Sequence, residues 1–171
     1  MKTTRLISTV LYFVTSILAI GYITTSIYVL ISTWFKLSSF KIIEDNRFAI
    51  YYPFTEKPFL LGSEYTFQYV LEMVVGIGLY GIFFFLLSKV FYTFKQEKLF
   101  TLQGVSNLSR FYIFNIILAP LILIALAVIS NEDLPYIVMI SAHFIFGIFA
   151  LFIAAIFRQG LNLQNEQDLF I

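Results

Sequence analysis

LISTVLYFVTSILAIGYITTSIYVLISTWF, Leu6 to Phe35, holds no Asp, Glu, Lys, Arg or His. At about 1.5 Å rise per residue it is longer than the roughly 17 to 25 apolar residues needed to cross a ~30 Å hydrocarbon core. Three later stretches follow the same pattern. Met73 to Ser88 and Phe111 to Ser130 are free of charge, and Pro135 to Phe157 contains only His143. The spacing predicts an all-α membrane protein with four transmembrane helices, over about 6–34, 66–92, 111–130 and 135–157, in an antiparallel bundle. A single integral domain, 1–171, then leaves an outer segment 36–64 between helices 1 and 2 and a tail 158–171.

Composition agrees. The chain is 60% hydrophobic, 19% aromatic and 12% charged, where soluble domains carry about 25% charged residues. Four spans leave no room for a separate soluble catalytic domain. A formal net charge of +1 provides no broad basic field, so no direct nucleic-acid binding is expected. The absence of cysteine excludes thiolate metal sites, thiol nucleophiles and disulfides. With one histidine besides, neither a metal centre nor a cofactor is expected. Lys2 and Arg5 ahead of an apolar run resemble a secretory signal, but the run continues well past the 7 to 15 apolar residues of a signal core, so it is read as a retained helix.

Orientation follows from the basic residues, which concentrate on cytoplasmic flanks. Lys2, Arg5, Lys89, Lys95, Lys98, Arg110 and Arg158 fall on one side. Lys36, Lys41, Arg47 and Lys57 fall on the other, outnumbered by Glu44, Asp45, Glu56, Glu64, Glu132 and Asp133. Both termini are therefore expected in the cytoplasm, with the chain in the inner (cytoplasmic) membrane. Trp34, Tyr65 and Tyr136 fit the outer interface, and Tyr92, Phe94 and Tyr112 the inner one.

In the outer segment, FKII and FAIYY flank the polar Glu44-Asp45-Asn46-Arg47 and read as a short β-hairpin, with Pro53 and Pro58 ending regular structure. On the inner side Phe94, Lys98, Leu102 and Val105 recur at helical spacing. They suggest an extension of helix 2 and an interfacial helix, with Ser106 or Asn107 capping helix 3. No internal repeat is visible, which weighs against a secondary transporter.

Glu72 is the one acidic residue inside a span. Counted from Tyr65 and Pro135, Glu72 and His143 lie at matching depth on helices running the same way. The sharper reading is a hydrogen-bonded intramembrane pair, and the plainer one leaves Glu72 in the headgroups with His143 bonding another helix. Gly76, Gly78 and Gly81 thin two faces of helix 2. His143, Gly147, Ala150 and Ala154 form a matching stripe, which pairs Gly76 with Gly147 and leaves Gly78 and Gly81 for another neighbour or a homodimer. Pro120 should kink helix 3, and Asn115 should bond a neighbouring helix. No carboxylate pair, Ser/His/Asp arrangement or phosphate loop nominates an active site, so the chain is read as not an enzyme.

The tail, IFRQGLNLQNEQDLFI, with Arg158, Gly160, Leu163, Glu166, Asp168, Leu169 and Ile171, resembles the ending of the bacterial domain of unknown function 2975 family. Members of that family finish on a Gly, Leu, Glu, Asp-Leu-Thr-Ile/Val pattern. LFTLQGVSNLSRF of the inner segment is similar to the family's entry into helix 3. Three features depart from it: Phe170 stands where the family usually has Thr, Leu99 where it often has Pro, and the inner loop is poorer in Arg. The resemblance implies four spans with an outer β-containing segment, no established activity, and a small cytoplasmic helix-turn-helix regulator as partner. The surface for it would comprise Lys95, Lys98, Gly160, Leu163, Glu166, Asp168 and Leu169, unless the tail folds back and caps the bundle. The alternative function is a small transporter, channel or ligand-binding module using a cavity near Glu72 and His143.

Overall fold

A computed structural model describes residues 2–130 and 135–168, excepting the side chains of Glu44 and Asp168. The described chain is mostly helical: α1 (Lys2–Trp34), α2 (Phe67–Lys95), α3 (Leu102–Ile113), α4 (Ala119–Ile129) and α5 (Tyr136–Asp168). A π-helical turn, Phe114–Leu118, joins α3 to α4, so α3 and α4 make one rod. The result is four helices, each long and apolar enough to cross a membrane.

Their exterior is apolar. Leu6, Phe13, Ile17 and Ile20 on α1, Val128 on α4, and Ile137, Phe149 and Phe152 on α5 are all exposed, as expected of helices whose outer faces meet lipid. The buried face of α1 is the reverse, built from Ser8, Thr15, Ala19, Ser26, Val29, Ser32 and Thr33. Lipid is as apolar as leucine, so packing between such helices comes from small residues and hydroxyl bonds. Ser26 Oγ donates across to the Val74 carbonyl of α2 at 2.8 Å, while Thr15 and Thr33 bond carbonyls of their own helix. A second buried cluster, Leu79, Phe83, Leu108, Phe111, Leu123, Ala150 and Phe157 among others, joins α2, α3, α4 and α5.

Between α1 and α2 lies an antiparallel sheet of three strands, β1 (Phe40–Ile42), β2 (Phe48–Tyr51) and β3 (Pro58–Gly62), in that order. The predicted hairpin is present, with Phe40 opposite Ile50 and Ile42 opposite Phe48. Asp45 and Asn46 both take positive φ, 59° and 58°, which short polar side chains tolerate best after glycine. The expectation that Pro58 ends regular structure is corrected, because it starts β3. A proline lacks only the N–H, and the first position of an edge strand does not require one. The third strand makes the sheet viable where a lone hairpin would be marginal. Phe40, Phe48 and Ile50 pack with Val29 of α1, and with Tyr69, Val70 and Met73 of α2. A Cβ on Gly62 would overlap the Phe48 ring, so only glycine lets β3 approach so closely.

The expected cap of helix 3 is also corrected. Thr101, not Ser106 or Asn107, caps it, accepting from the Gly104 N–H at 3.0 Å, and no separate interfacial helix precedes it. Asn107 instead faces α2, where its amide donates to Thr93 Oγ1 at 3.1 Å and to the Lys89 carbonyl at 3.3 Å. The disturbance expected at Pro120 takes the form of the π turn, in which the Ala119 N–H bonds the Phe114 carbonyl. This wider turn accommodates a proline ring that would press on the carbonyl four residues back.

Candidate functional site

Thr66 caps α2 by accepting from the Tyr69 N–H, and this start sets Glu72 in the second turn. Glu72 is buried, at 9% exposure. Its Oε1 accepts from the Tyr136 hydroxyl at 2.5 Å, and Tyr136 is the first residue of α5. A cavity of about 270 Å³ adjoins the pair, lined by Tyr69, Glu72, Gly76, Leu123, Tyr136 and Met139 with others. A carboxylate offers about four acceptor positions, and among the described residues Tyr136 takes one. The cavity therefore combines apolar walls with one strong acceptor, suited to a small ligand carrying a donor or a positive charge.

His143 belongs to a different site. Its Nδ1 lies 2.7 Å from Asn115 Oδ1, and Asn115 Nδ2 donates to the Phe111 carbonyl at 2.8 Å. That second bond sets the amide orientation, so Asn115 presents its oxygen to the imidazole and Nδ1 is the donor. The ring sits among Phe83, Tyr80 and Phe114, edge-on to Phe83 with centroids 5.5 Å apart. The predicted Glu72 and His143 hydrogen bond is thus corrected to two separate pairs, Glu72 with Tyr136 and His143 with Asn115. Counting from the helix starts gives equal depth only if α2 and α5 begin level. Tyr136 is instead level with Glu72, and His143 lies two turns deeper, beside Tyr80 and Phe83. The inter-helix bond expected of Asn115 is the one made to His143.

The glycines also separate. A Cβ on Gly76 would meet nothing within 4 Å, whereas one on Gly147 would press on Ile116 and Asn115. The expected Gly76 to Gly147 contact is therefore corrected: Gly76 borders the cavity, and Gly147 seats α5 on the π turn, while Ala150 and Ala154 are buried in the cluster shared by α2, α3, α4 and α5. Gly78 meets Ser26, and Gly81 meets Ile23 and Tyr22. The face proposed for a homodimer is occupied by α1.

At the other end of the helices, the residues of the predicted partner surface divide. Lys95 lies over the Tyr12 and Phe13 rings, 4.9 and 5.3 Å from their centroids, and is committed to α1. Lys98 is exposed. Gly160 accommodates the Phe100 ring, and Phe157 stacks edge-on with Phe94 and Phe100, so the loop and the start of the tail do meet. Beyond them α5 continues unbroken to Asp168. Residues 162–167 are exposed, Leu163 by 60%, and the expected alternative of a folded-back tail does not hold over them. The Asp168 side chain and Leu169 lie outside the described residues.

Sequence reading missed Tyr136 as the partner of Glu72, the Asn107 link between α2 and α3, and the Ser/Thr/Ala stripe of α1. The stripe was detectable, since Ser8, Thr15, Ala19 and Ser26 recur on one helical face. In the sequence Tyr136 reads only as part of an aromatic belt. Among the described residues no three His, Asp or Glu side chains converge in a metal-holding group. A comparison with protein families, curated proteins and solved structures finds no match.

Proposed function

We propose that this chain is a multi-pass membrane protein, an antiparallel four-helix bundle with both ends in the cytoplasm, that acts by binding rather than by catalysis. Its cytoplasmic face engages a soluble partner. The observation that carries this reading is the end of α5, which runs on as an exposed helix after its last buried apolar residue, Phe157, with the loop side chain of Phe100 packed at its base. Lys98, Leu163 and Glu166 then present a cation, an apolar side chain and an anion to the cytoplasm. The tail resemblance favours a small helix-turn-helix regulator as the partner. Affinity capture of the full chain from mild detergent, compared with a chain lacking residues 162–171, tests this. The truncated protein should still accumulate in the membrane and lose the regulator. Capture of the same partners by both proteins would refute the tail's role.

The cavity beside Glu72 favours a second reading, a ligand-binding membrane module. Its ligand would carry a donor group able to share the carboxylate with Tyr136, and Glu72→Gln would weaken its binding.

A further inference from the structure

A polar cavity of about 490 Å³ lies at the end of the helices opposite the sheet. Two helical stripes face each other across it. Phe85, Lys89 and Tyr92 stand at i, i+4 and i+7 on α2, and Gln103, Asn107 and Arg110 at i, i+4 and i+7 on α3, the spacing that places side chains on one face. Asn107 fixes the walls, because its amide bonds the Lys89 carbonyl and Thr93 while Gln103 Nε2 donates to its Oδ1 at 2.9 Å. The Lys89 ammonium rides over the Phe85 ring, 5.1 Å from its centroid, at the margin between the apolar and polar parts of α2.

No carboxylate lines this cavity. Among the described residues the one ion pair is Arg5 with Glu97, at 3.6 Å, so Lys89 and Arg110 lack an acidic partner. Two such cations beside an apolar floor of Phe85 and Leu86, at the end of hydrophobic helices, complement a phosphodiester whose acyl chains continue along the bundle.

We propose that this cavity is a binding site for the headgroup of an anionic phospholipid, with Lys89 and Arg110 as its phosphate ligands. A zwitterionic phospholipid is disfavoured because its ammonium would add a third positive charge. The proposal rests on the membrane placement but not on its orientation or on the partner of α5.

The test uses full-length protein purified from the membrane fraction, so failure to insert is read separately from failure to bind. Retention of phosphatidylglycerol relative to phosphatidylcholine is measured in mixed detergent micelles. The wild-type chain should prefer the anionic lipid, and Lys89→Gln with Arg110→Gln should reduce that preference by about 25-fold, at roughly a factor of five per removed cation. Lys2→Gln with Arg158→Gln removes the same charge at the same end and should leave most of the preference. Equal losses in the two double variants would reduce the effect to general surface charge and overturn the site. An unchanged preference in the first variant would overturn it directly. Displacement of the lipid by millimolar inorganic phosphate would assign the pocket to a free anion instead.

Discussion

The Tyr136 hydroxyl donates to Glu72 Oε1, tying the first turn of α5 to the second turn of α2. Removing one partner of a buried hydrogen bond leaves the other desolvated, at about 1–3 kcal/mol. Tyr136→Phe should lower stability by that order in thermal unfolding from mild detergent. Glu72→Gln should cost less, since an amide oxygen still accepts. Glu72→Ala and Tyr136→Phe should couple, whereas Glu72→Ala and His143→Ala should add. Coupling in the second pair with additivity in the first would restore the pairing that the structure replaces.

Asn115 and His143 should form the second coupled pair. Asn115 is fully buried and bonds both the imidazole and its own helix, so Asn115→Ala strands the His143 N–H in an apolar cage of aromatic rings. Hydrogen bonds between membrane helices are worth about 0.6–2 kcal/mol. The double variant Asn115→Ala/His143→Ala should therefore lose less than the sum of the singles by that amount, read in the same unfolding assay.

The glycines of α2 should respond oppositely to alanine. Gly76→Ala meets open space and gains up to about 1 kcal/mol of helix propensity. Gly81→Ala places a Cβ 2.7 Å from an Ile23 side-chain carbon and 3.1 Å from its backbone nitrogen. The side chain can turn and the backbone cannot, so a loss of about 1–3 kcal/mol follows from overpacking. Equal effects at the two positions would contradict the packing of α1 on the Gly81 face.

Gly62→Ala tests the sheet. The added methyl group overlaps the Phe48 ring, which is fully buried against α1 and α2. Limited proteolysis within 52–57 should accelerate in this variant, because β3 must move off β2. Unchanged cleavage would mean that the strands tolerate a wider spacing.

The four long apolar helices were legible because long runs without charge have few readings other than helices able to cross a membrane. So was the Asp45-Asn46 turn, whose residues suit a left-handed backbone. The third strand was not, because PFLLG opens with a proline that reads as a breaker until its edge position is known. Glu72 and His143 could be singled out from the sequence, as polar groups in apolar helices must find partners. Which partners they find depends on the relative height of α2 and α5, and no residue spacing within one helix encodes that offset. Tyr136 was visible as an interfacial aromatic, yet its hydroxyl points to Glu72 only once α5 is seated.

The proposed partner requires both ends of the chain in the cytoplasm, and the chain's lack of cysteine makes that placement directly measurable. Single cysteines at Asn46 and Thr55, in the segment holding the sheet, and at Glu97 and Asn165, near the opposite ends of the helices, are exposed to an impermeant maleimide in intact cells. Labelling at Asn46→Cys and Thr55→Cys, with Glu97→Cys and Asn165→Cys reacting only after permeabilisation, is the predicted result. Labelling of Glu97→Cys and Asn165→Cys in intact cells, with the sheet positions protected, would contradict it and put the exposed end of α5 outside the cell.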